Sequence, residues 1–331
     1  MKLAVIIPCL NEEKTIGNVL ARVPKPRAPF ASTIVIVVDD GSQDKTAEIA
    51  RKAGASVVSH GINRGVGVAF STGISEALHR GADVIVNMDG DGQFDPADMP
   101  KLVAPILDNR ADFVTASRFL DPRIVPSMPT VKKWGNRRIA GLISSLIGTR
   151  FCDVSCGFRA YSRESALSLT LVGQFTYTQE TFLDLAFKGF RILEVPVVVR
   201  GEREFGESRV ASSIVRYAIN SGKIIFRSYR DYRPLHVFGA LSAWSLLAGG
   251  SLLAFLLYHY LTTGRFSGHL WAGFVGGAFT FLSVVLLLVG VVADMLDRIR
   301  LHQERILYYQ KKMMYGPGTQ KTPGSAVDAP R

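Results

Sequence analysis

Val84-Ile85-Val86-Asn87-Met88-Asp89-Gly90-Asp91-Gly92-Gln93 decides how this chain is read. Its first five residues make a short buried strand, and the acidic, glycine-rich turn that follows stands at the strand's carboxyl end. Two carboxylates separated by one glycine project from one tight turn, with Gln93 as a further oxygen ligand. Hard divalent cations take such sets, with few carboxylates, open positions and room for substrate phosphates. Asp89, Asp91 and Gln93 are therefore candidate ligands of Mg²⁺ or Mn²⁺, which would neutralise a diphosphate leaving group.

The same grammar surrounds this stretch. Apolar runs at 3–7, 34–38, 57–58 and 113–116 read as further buried strands, each bounded by turn signals. Between the strands, 15–21, 44–53, 66–80 and 96–107 carry apolar residues at helical spacing. Asp95-Pro96 fits the start of the last of these helices. Alternating strands and helices imply a mostly parallel sheet covered on both faces, with ligands beyond the carboxyl ends of its strands. Pro8-Cys9-Leu10-Asn11-Glu12-Glu13 follows the first strand and Asp39-Asp40-Gly41-Ser42-Gln43-Asp44 the second. One acidic cluster at a strand end reads as a turn or a helix cap. Three on one sheet edge read as a crevice. The chain has no Walker A lysine loop, and Gly61, Gly65 and Gly67 do not have Rossmann spacing, which weighs against ATPase and dehydrogenase readings.

Beyond residue 236 the composition changes. Residues 237–261 and 270–293 contain no Asp, Glu, Lys or Arg, and each run is long enough to cross a hydrocarbon core of roughly 30 Å. The short link 262–269 makes them a helical hairpin, and Gly249-Gly250 with Gly276-Gly277 would allow close helix approach. Lys223, Arg227, Arg230 and Arg233 precede the first span; Arg298, Arg300, Arg305, Lys311 and Lys312 follow the second. The link holds only Arg265, so both ends are expected in the cytoplasm. Tyr258, Tyr260 and Trp271 suit the far interface. Residues 210–230 read as an interfacial amphipathic helix and 316–331 as a disordered tail.

The chain has 331 residues, a formal charge of +11 and a mean hydropathy of +0.19. That hydropathy excludes a disordered chain and is high for a soluble enzyme. The segments 200–235 and 294–331 supply +7 of the charge beside the spans, so attraction to anionic headgroups explains the basicity without nucleic acid. Cys9, Cys152 and Cys156 make no disulfide framework and fit a reducing compartment. With no His near Cys152 and Cys156, a zinc site is not expected. The N-terminus carries no cleavable-signal pattern.

Pro8-Cys9-Leu10-Asn11-Glu12, Val38-Asp39-Asp40-Gly41-Ser42, Asn63-Arg64-Gly65-Val66-Gly67 and Asp89-Gly90-Asp91-Gly92-Gln93 together resemble family 2 glycosyltransferases of the GT-A fold. Ser117-Arg118, Asp153-Val154-Ser155-Cys156-Gly157-Phe158-Arg159 and Gly189-Phe190-Arg191-Ile192-Leu193-Glu194-Val195-Pro196 narrow the resemblance to the dolichol- and polyprenyl-phosphate mannosyltransferases and glucosyltransferases. It implies an α/β GT-A domain over 1–209, juxtamembrane amphipathic helices over 210–236, transmembrane helices over 237–261 and 270–293, and a cytoplasmic basic tail over 294–331. It further implies that Pro8, Asn11, Glu12, Asp39, Asp40, Asp89, Gly90 and Asp91 bind the nucleotide sugar. Asp89, Asp91 and Gln93 would hold the metal. Arg118 would touch the donor or the acceptor phosphate. Val66 stands where the family often has Lys or Arg. The Gln-x-x-Arg-Trp motif of processive synthases is absent, which argues for transfer of a single sugar.

Between 122 and 150 the chain has six basic residues and no acid. Such a run is either a solvated helix face or a cradle for a lipid phosphate. Arg137 and Arg138, beside Asn136, are the favoured acceptor residues with Arg118, since the guanidinium fork matches phosphate. Ser208 and Arg209 resemble part of a Gly-x-Ser-basic acceptor loop. With Asp91, the three arginines form the candidate catalytic set. Glu180 and Glu194 read as structural, Glu180 being the weaker candidate for acceptor-side chemistry. A polyprenyl phosphate is already anionic at neutral pH, so its oxygen needs no general base, and in-line attack would invert the anomeric centre.

The expected protein is a multi-pass enzyme of the cell membrane with its catalytic domain and C-terminus in the cytoplasm. Its partners would be a nucleotide sugar, a polyprenyl phosphate and the bilayer, with a homo-oligomer left open. GDP-mannose, UDP-glucose and UDP-N-acetylglucosamine all fit as donors. Two other readings compete: transfer to another lipid such as diacylglycerol or ceramide, and a catalytically silent membrane scaffold.

Overall fold

The first strand, β1 (Lys2–Cys9), is buried from Leu3 to its end and pairs in parallel with β2 (Ser32–Asp39) on one side and β4 (Val84–Asn87) on the other. β3 (Ser56–Ser59) extends the sheet beyond β2, again in parallel. Strands buried on both faces read as continuous apolar runs, which is why Leu-Ala-Val-Ile-Ile shows no alternation in its sequence. The alternation appears in the packing instead. Ala4, Ile6, Ile36 and Val38 join Phe70 in one core, while Val5, Ile7, Val37 and Val86 join Leu102 in the other. The structure, a computed structural model, describes residues 1–171, 177–200 and 214–316.

Helices α1 (Ile16–Ala21), α2 (Thr46–Lys52) and α3 (Val66–His79) connect the first four strands, and α4 (Met99–Leu107) leads to β5 (Phe113–Ser117). The expected helix over 96–107 begins as a 3-10 turn, Pro96–Asp98, because Asp95 accepts the Ala97 N–H at 3.0 Å and Pro96 cannot donate. After α5 (Thr130–Ile147) comes β6 (Arg159–Ser162), which runs antiparallel between β4 and β5. α6 (Arg163–Ser168), α7 (Thr178–Phe187) and β7 (Ile192–Pro196) complete the sheet, with β7 parallel to β5. The order is β3-β2-β1-β4-β6-β5-β7, mostly parallel as expected and interrupted by β6.

The described residues within 1–225 and 306–316 form one compact unit. Within it the end of the last helix packs on the core beside the sheet. Tyr308 and Tyr315 lie against the core cluster that includes Phe113 and Phe182. Lys311 Nζ donates to the Leu169 carbonyl at 2.7 Å, and Glu164 accepts from Lys312 Nζ at 3.1 Å and from the Tyr308 hydroxyl.

Residues 226–305 form the second unit. It contains α9 (Pro234–Thr263), the larger part of α10 (Leu270–Met314) and the end of α8 (Ile214–Tyr232). α9 and α10 are both long and apolar enough to cross a membrane. Only 17% of the most apolar window of each is buried, so these helices present apolar side chains outward, unlike helices of a soluble core. They meet through small residues. A Cβ on Gly249 would stand 2.7 Å from the Gly276 carbonyl oxygen, and Ser245 Oγ donates to the Phe279 carbonyl at 2.8 Å. Gly250 and Gly277 face open space, so one glycine of each pair makes the contact. α10 continues past 293, where the apolar run ends, to Met314. Spacings such as Asp294–Arg298 and Arg300–Glu304 suit a continued helix.

Candidate active site

Register brings the first two strand ends level: Cys9 pairs with Asp39, and the Asp40 N–H donates to the Cys9 carbonyl at 2.9 Å. The turns beyond are laced together. Asn11 takes a left-handed backbone (φ 51°), its N–H donates to Ser42 Oγ at 2.9 Å, and its side-chain oxygen accepts the Gln43 N–H at 2.8 Å. The Glu12 N–H donates to Thr46 Oγ1 at 2.7 Å. Asn tolerates that conformation better than most residues, which accounts for Asn11 in this turn.

The third acidic turn closes onto the first. A Cβ on Gly90 would lie 2.6 Å from Cys9 Sγ, and one on Gly157 would lie 2.8 Å from an Asp89 carboxylate oxygen. Both positions need glycine for space, and Gly157 sits against the side chain that Asp89 directs toward it. Thr15 Oγ1 donates to the Gly90 carbonyl at 2.7 Å. Asp91, 2% exposed, accepts the Gln93 N–H at 3.0 Å. Gln93 in turn bonds the Arg200 backbone through Nε2 at 3.2 Å.

The Cys9 thiol reports on the convergence. Burial pushes its pKa well above the ordinary value, and the negative charges of Glu12, Asp39, Asp89 and Asp91 add to that push. Carboxylates from three separate turns thus lie near enough for their charge to act on one buried thiol. Among the described residues no three His, Cys, Asp or Glu side chains gather as a closed metal-ligand set. Two carboxylates flanked by Cβ-free backbone suit a cation that takes its remaining ligands from water and substrate oxygens, as Mg²⁺ and Mn²⁺ do. The residues present fit such an ion.

Asp39 and Asp40 differ in their surroundings. Asp39 accepts the Ser42 N–H at 3.0 Å and the Ser59 hydroxyl at 3.1 Å. Asp40 accepts the N–H groups of Arg64 at 3.0 Å and Gly65 at 2.9 Å and contacts His60 Nδ1 at 2.7 Å. His60 Nε2 meets Thr72 Oγ1 on α3 at 3.0 Å. Asp40 thus organises the turn that opens α3. Nothing in the sequence pointed to His60, whose only signal is its position just after a strand.

The arginines occupy a second cluster. Asp153, buried, accepts from Arg118 Nε at 2.6 Å, Nη2 at 2.8 Å and the backbone N–H at 3.1 Å. Burial would raise the Asp153 carboxyl, but the Arg118 guanidinium outweighs it and holds the carboxyl below its usual range. Ser155 accepts from Arg118 Nη2 at 2.7 Å and meets Asn136 Oδ1 on α5 at 3.2 Å. Arg137 and Arg138 are exposed on the same helix, and the charge of Arg137 is felt at Cys152, beside Asp153. Arg138 lies over the Trp134 ring at 5.2 Å. Glu194 on β7 accepts the N–H groups of Cys152 and Asp153, each at 2.7 Å. Its carboxyl is raised by burial, against the pull of those two bonds. Glu180 lies in the first turn of α7. Ser208 and Arg209 lie outside the described residues, as does the tail from 317.

Arg159 is fully buried and donates to the carbonyls of Cys156, Thr178 and Val154 at 2.7, 2.8 and 2.9 Å, with Phe113, Tyr177 and Phe182 around it. It is the internal support of the 153–158 segment. The sequence showed it only as part of a motif.

Residues 4–169 match the family model described as Glycosyl transferase family 2. The chain belongs to that family. The undecaprenyl-phosphate mannosyltransferase of Micrococcus luteus is 31% identical over 66% of this chain and 91% of its own. The dolichyl-phosphate hexose transferase of Haloferax volcanii is 31% identical over 66% and 94%. Among solved structures, glucosyl-3-phosphoglycerate synthase of Mycobacterium tuberculosis, crystallised with Mn²⁺, UDP and phosphoglyceric acid, superposes with a TM-score of 0.54 at 21% identity. That match covers 69% of this chain and 78% of the synthase. The family 2 chain therefore has the GT-A fold, is a glycosyltransferase and carries two apolar helices.

Proposed function

We propose that this glycosyltransferase transfers a single hexose from a nucleotide sugar to a polyprenyl phosphate, with inversion, at the cytoplasmic face of a membrane that α9 and α10 cross. One observation carries this reading: acidic turns gather near Cys9, and on the same domain Arg118 is gripped by Asp153, with the charge of Arg137 felt at the neighbouring Cys152. Transfer between a nucleotide diphosphate and a phosphate monoester has to manage anions on both sides of the sugar. Polyprenyl- and dolichyl-phosphate transferases among the relatives support the acceptor class.

On the donor side, Pro8, Asn11, Glu12 and Asp39 line the turns that would take the nucleoside, with Asp40 holding the neighbouring turn in place. Asp89, Asp91 and Gln93 would hold Mg²⁺ or Mn²⁺; when bound, the ion supplies positive charge for the leaving diphosphate. On the acceptor side, Arg118, Arg137 and Arg138 would bind and orient the lipid phosphate, while Ser208 and Arg209 are proposed contacts from sequence alone. The acceptor, largely ionised at neutral pH because its second pKa lies near 6, needs no base. The residues therefore act by placing two anions in line and stabilising the charge that leaves.

Membranes containing the full chain should be given labelled GDP-mannose, UDP-glucose and UDP-N-acetylglucosamine one at a time, with polyprenyl phosphate and Mg²⁺ or Mn²⁺. The reading expects label in the organic phase from one donor, lost with EDTA. Metal-dependent nucleotide binding without lipid labelling from any donor would reject it.

A further inference from the structure

Glu194 has no role in the pairing of its own strand. Opposite Thr115 in the β5–β7 register, the position asks only for backbone hydrogen bonds, and an apolar or hydroxyl side chain would satisfy it. A half-buried carboxylate there is costly unless it is used. Its two oxygens accept the N–H groups of two consecutive residues, Cys152 and Asp153, each at 2.7 Å. A glutamine in its place would keep one acceptor and turn an amide N–H₂ toward the second N–H.

The held segment is the one that aims Arg118. Asp153 accepts from Nε and Nη2 of the guanidinium, whose donors form a rigid planar fork, so fixing one edge fixes the plane. The path from β7 to Arg118 is continuous: Glu194 to the backbone at 152–153, the Asp153 carboxylate, then the guanidinium. Ser155 and Asn136 extend it to α5, which also carries Arg137 and Arg138.

We infer that Glu194 is a positioning residue for the acceptor side, acting through Asp153 to set the direction of Arg118. The inference rests on the proposed transfer to polyprenyl phosphate. Among the described residues the hydrogen bonds of Glu194 go to the 152–153 backbone and not to the turns at 8–13, 39–44 or 89–93, so its loss should disturb the acceptor and spare the donor.

The test is steady-state kinetics of the full chain in lipid nanodiscs, varying polyprenyl phosphate and nucleotide sugar separately, for wild type, Glu194→Gln, Arg118→Lys and the double variant. Glu194→Gln should raise the acceptor KM roughly tenfold, within the range of coupling inside one polar network, and leave the donor KM within about twofold. In the Arg118→Lys background the further effect of Glu194→Gln on the acceptor KM should largely disappear. Equal movement of both KM values, or an undiminished effect in that background, would make Glu194 a merely structural residue and overturn the inference. Should Glu194→Gln fail to bind nucleoside diphosphate through misfolding, Asp153→Asn reads the same path from its middle, and lack of an acceptor-selective loss there would overturn it equally. A wild-type chain that transfers to no polyprenyl phosphate rejects the function, and this inference with it. An active wild type without the split rejects the inference alone.

Discussion

Gly90 and Cys9 stand so close that a Cβ on Gly90 would lie 2.6 Å from Cys9 Sγ, below any normal contact. Two turns, one after β1 and one after β4, are locked at that point, with Asp89 and Asp91 flanking Gly90 in the chain. Gly90→Ala should therefore cost about 1–3 kcal/mol through overpacking and reduce transfer. Cys9→Ala removes the sulfur and should restore part of both losses when combined with it. Thermal unfolding in detergent, with transfer measured alongside, checks the pair. A harmless Gly90→Ala would show that the turn is not fixed by this contact.

Asp91→Asn keeps the shape of the side chain and removes its charge. Transfer should fall at least about a hundredfold, more than is usual for a group lying behind a metal ligand, with little change in unfolding temperature. Titration of Mn²⁺ against the nucleoside diphosphate complex should show weaker metal binding in the variant. Full activity in Asp91→Asn would remove that carboxylate from the metal site.

The Arg118–Asp153 pair carries a pH signature. Asp153 has a folded pKa below its unfolded value, which is about 3.9. Its stabilising contribution is thus fully present above the unfolded value and is lost as pH falls through the lower folded one. Asp153→Asn should lower stability by about 1–3 kcal/mol at neutral pH, since it weakens the bonds to a guanidinium whose side chain is 19% exposed. The gap between wild type and variant should stay constant from pH 7 down to about 5 and narrow below about 4. Unfolding midpoints of the full chain across that range give the answer; a gap that widens on acidification would contradict it.

The helical hairpin offers an internal control. Gly249 and Gly276 are in backbone contact, whereas Gly250 and Gly277 have nothing within 4 Å of an added Cβ. Gly249→Val should cost about 1–3 kcal/mol by forcing the helices apart, and Gly250→Val should cost much less. Thermal stability of the two variants in the same detergent separates them, and equal losses would mean that the close approach does not hold the hairpin.

Most of the acidic sheet edge was legible because its information is local. Strand, acidic turn and helix follow one another within a dozen residues, and the topology of a parallel sheet gathers such turns at one edge. Parts of the fold and site that depend on distant pairing were not legible. β6, the short segment Arg-Ala-Tyr-Ser, begins with a buried charge and shows no apolar run, yet it inserts antiparallel between β4 and β5. The bond from Glu194 to residues 152–153 spans about forty positions, and the contact of His60 with Asp40 about twenty. Neither has a periodicity to betray it. The packing of Tyr308 and Tyr315 on the core is hidden for the same reason, in a segment whose composition reads as a charged tail.

The central claim concerns the chemistry of the acceptor, and one competition measures it. The purified chain in vesicles would receive its labelled nucleotide sugar with equal amounts of polyprenyl phosphate, the same polyprenol without phosphate, and diacylglycerol. The account expects the label on the phosphate-bearing lipid alone, joined through phosphate with inverted configuration at C1. Label on the free alcohol or on diacylglycerol at a comparable rate would contradict it, because neither hydroxyl carries the charge that Arg118, Arg137 and Arg138 are proposed to hold.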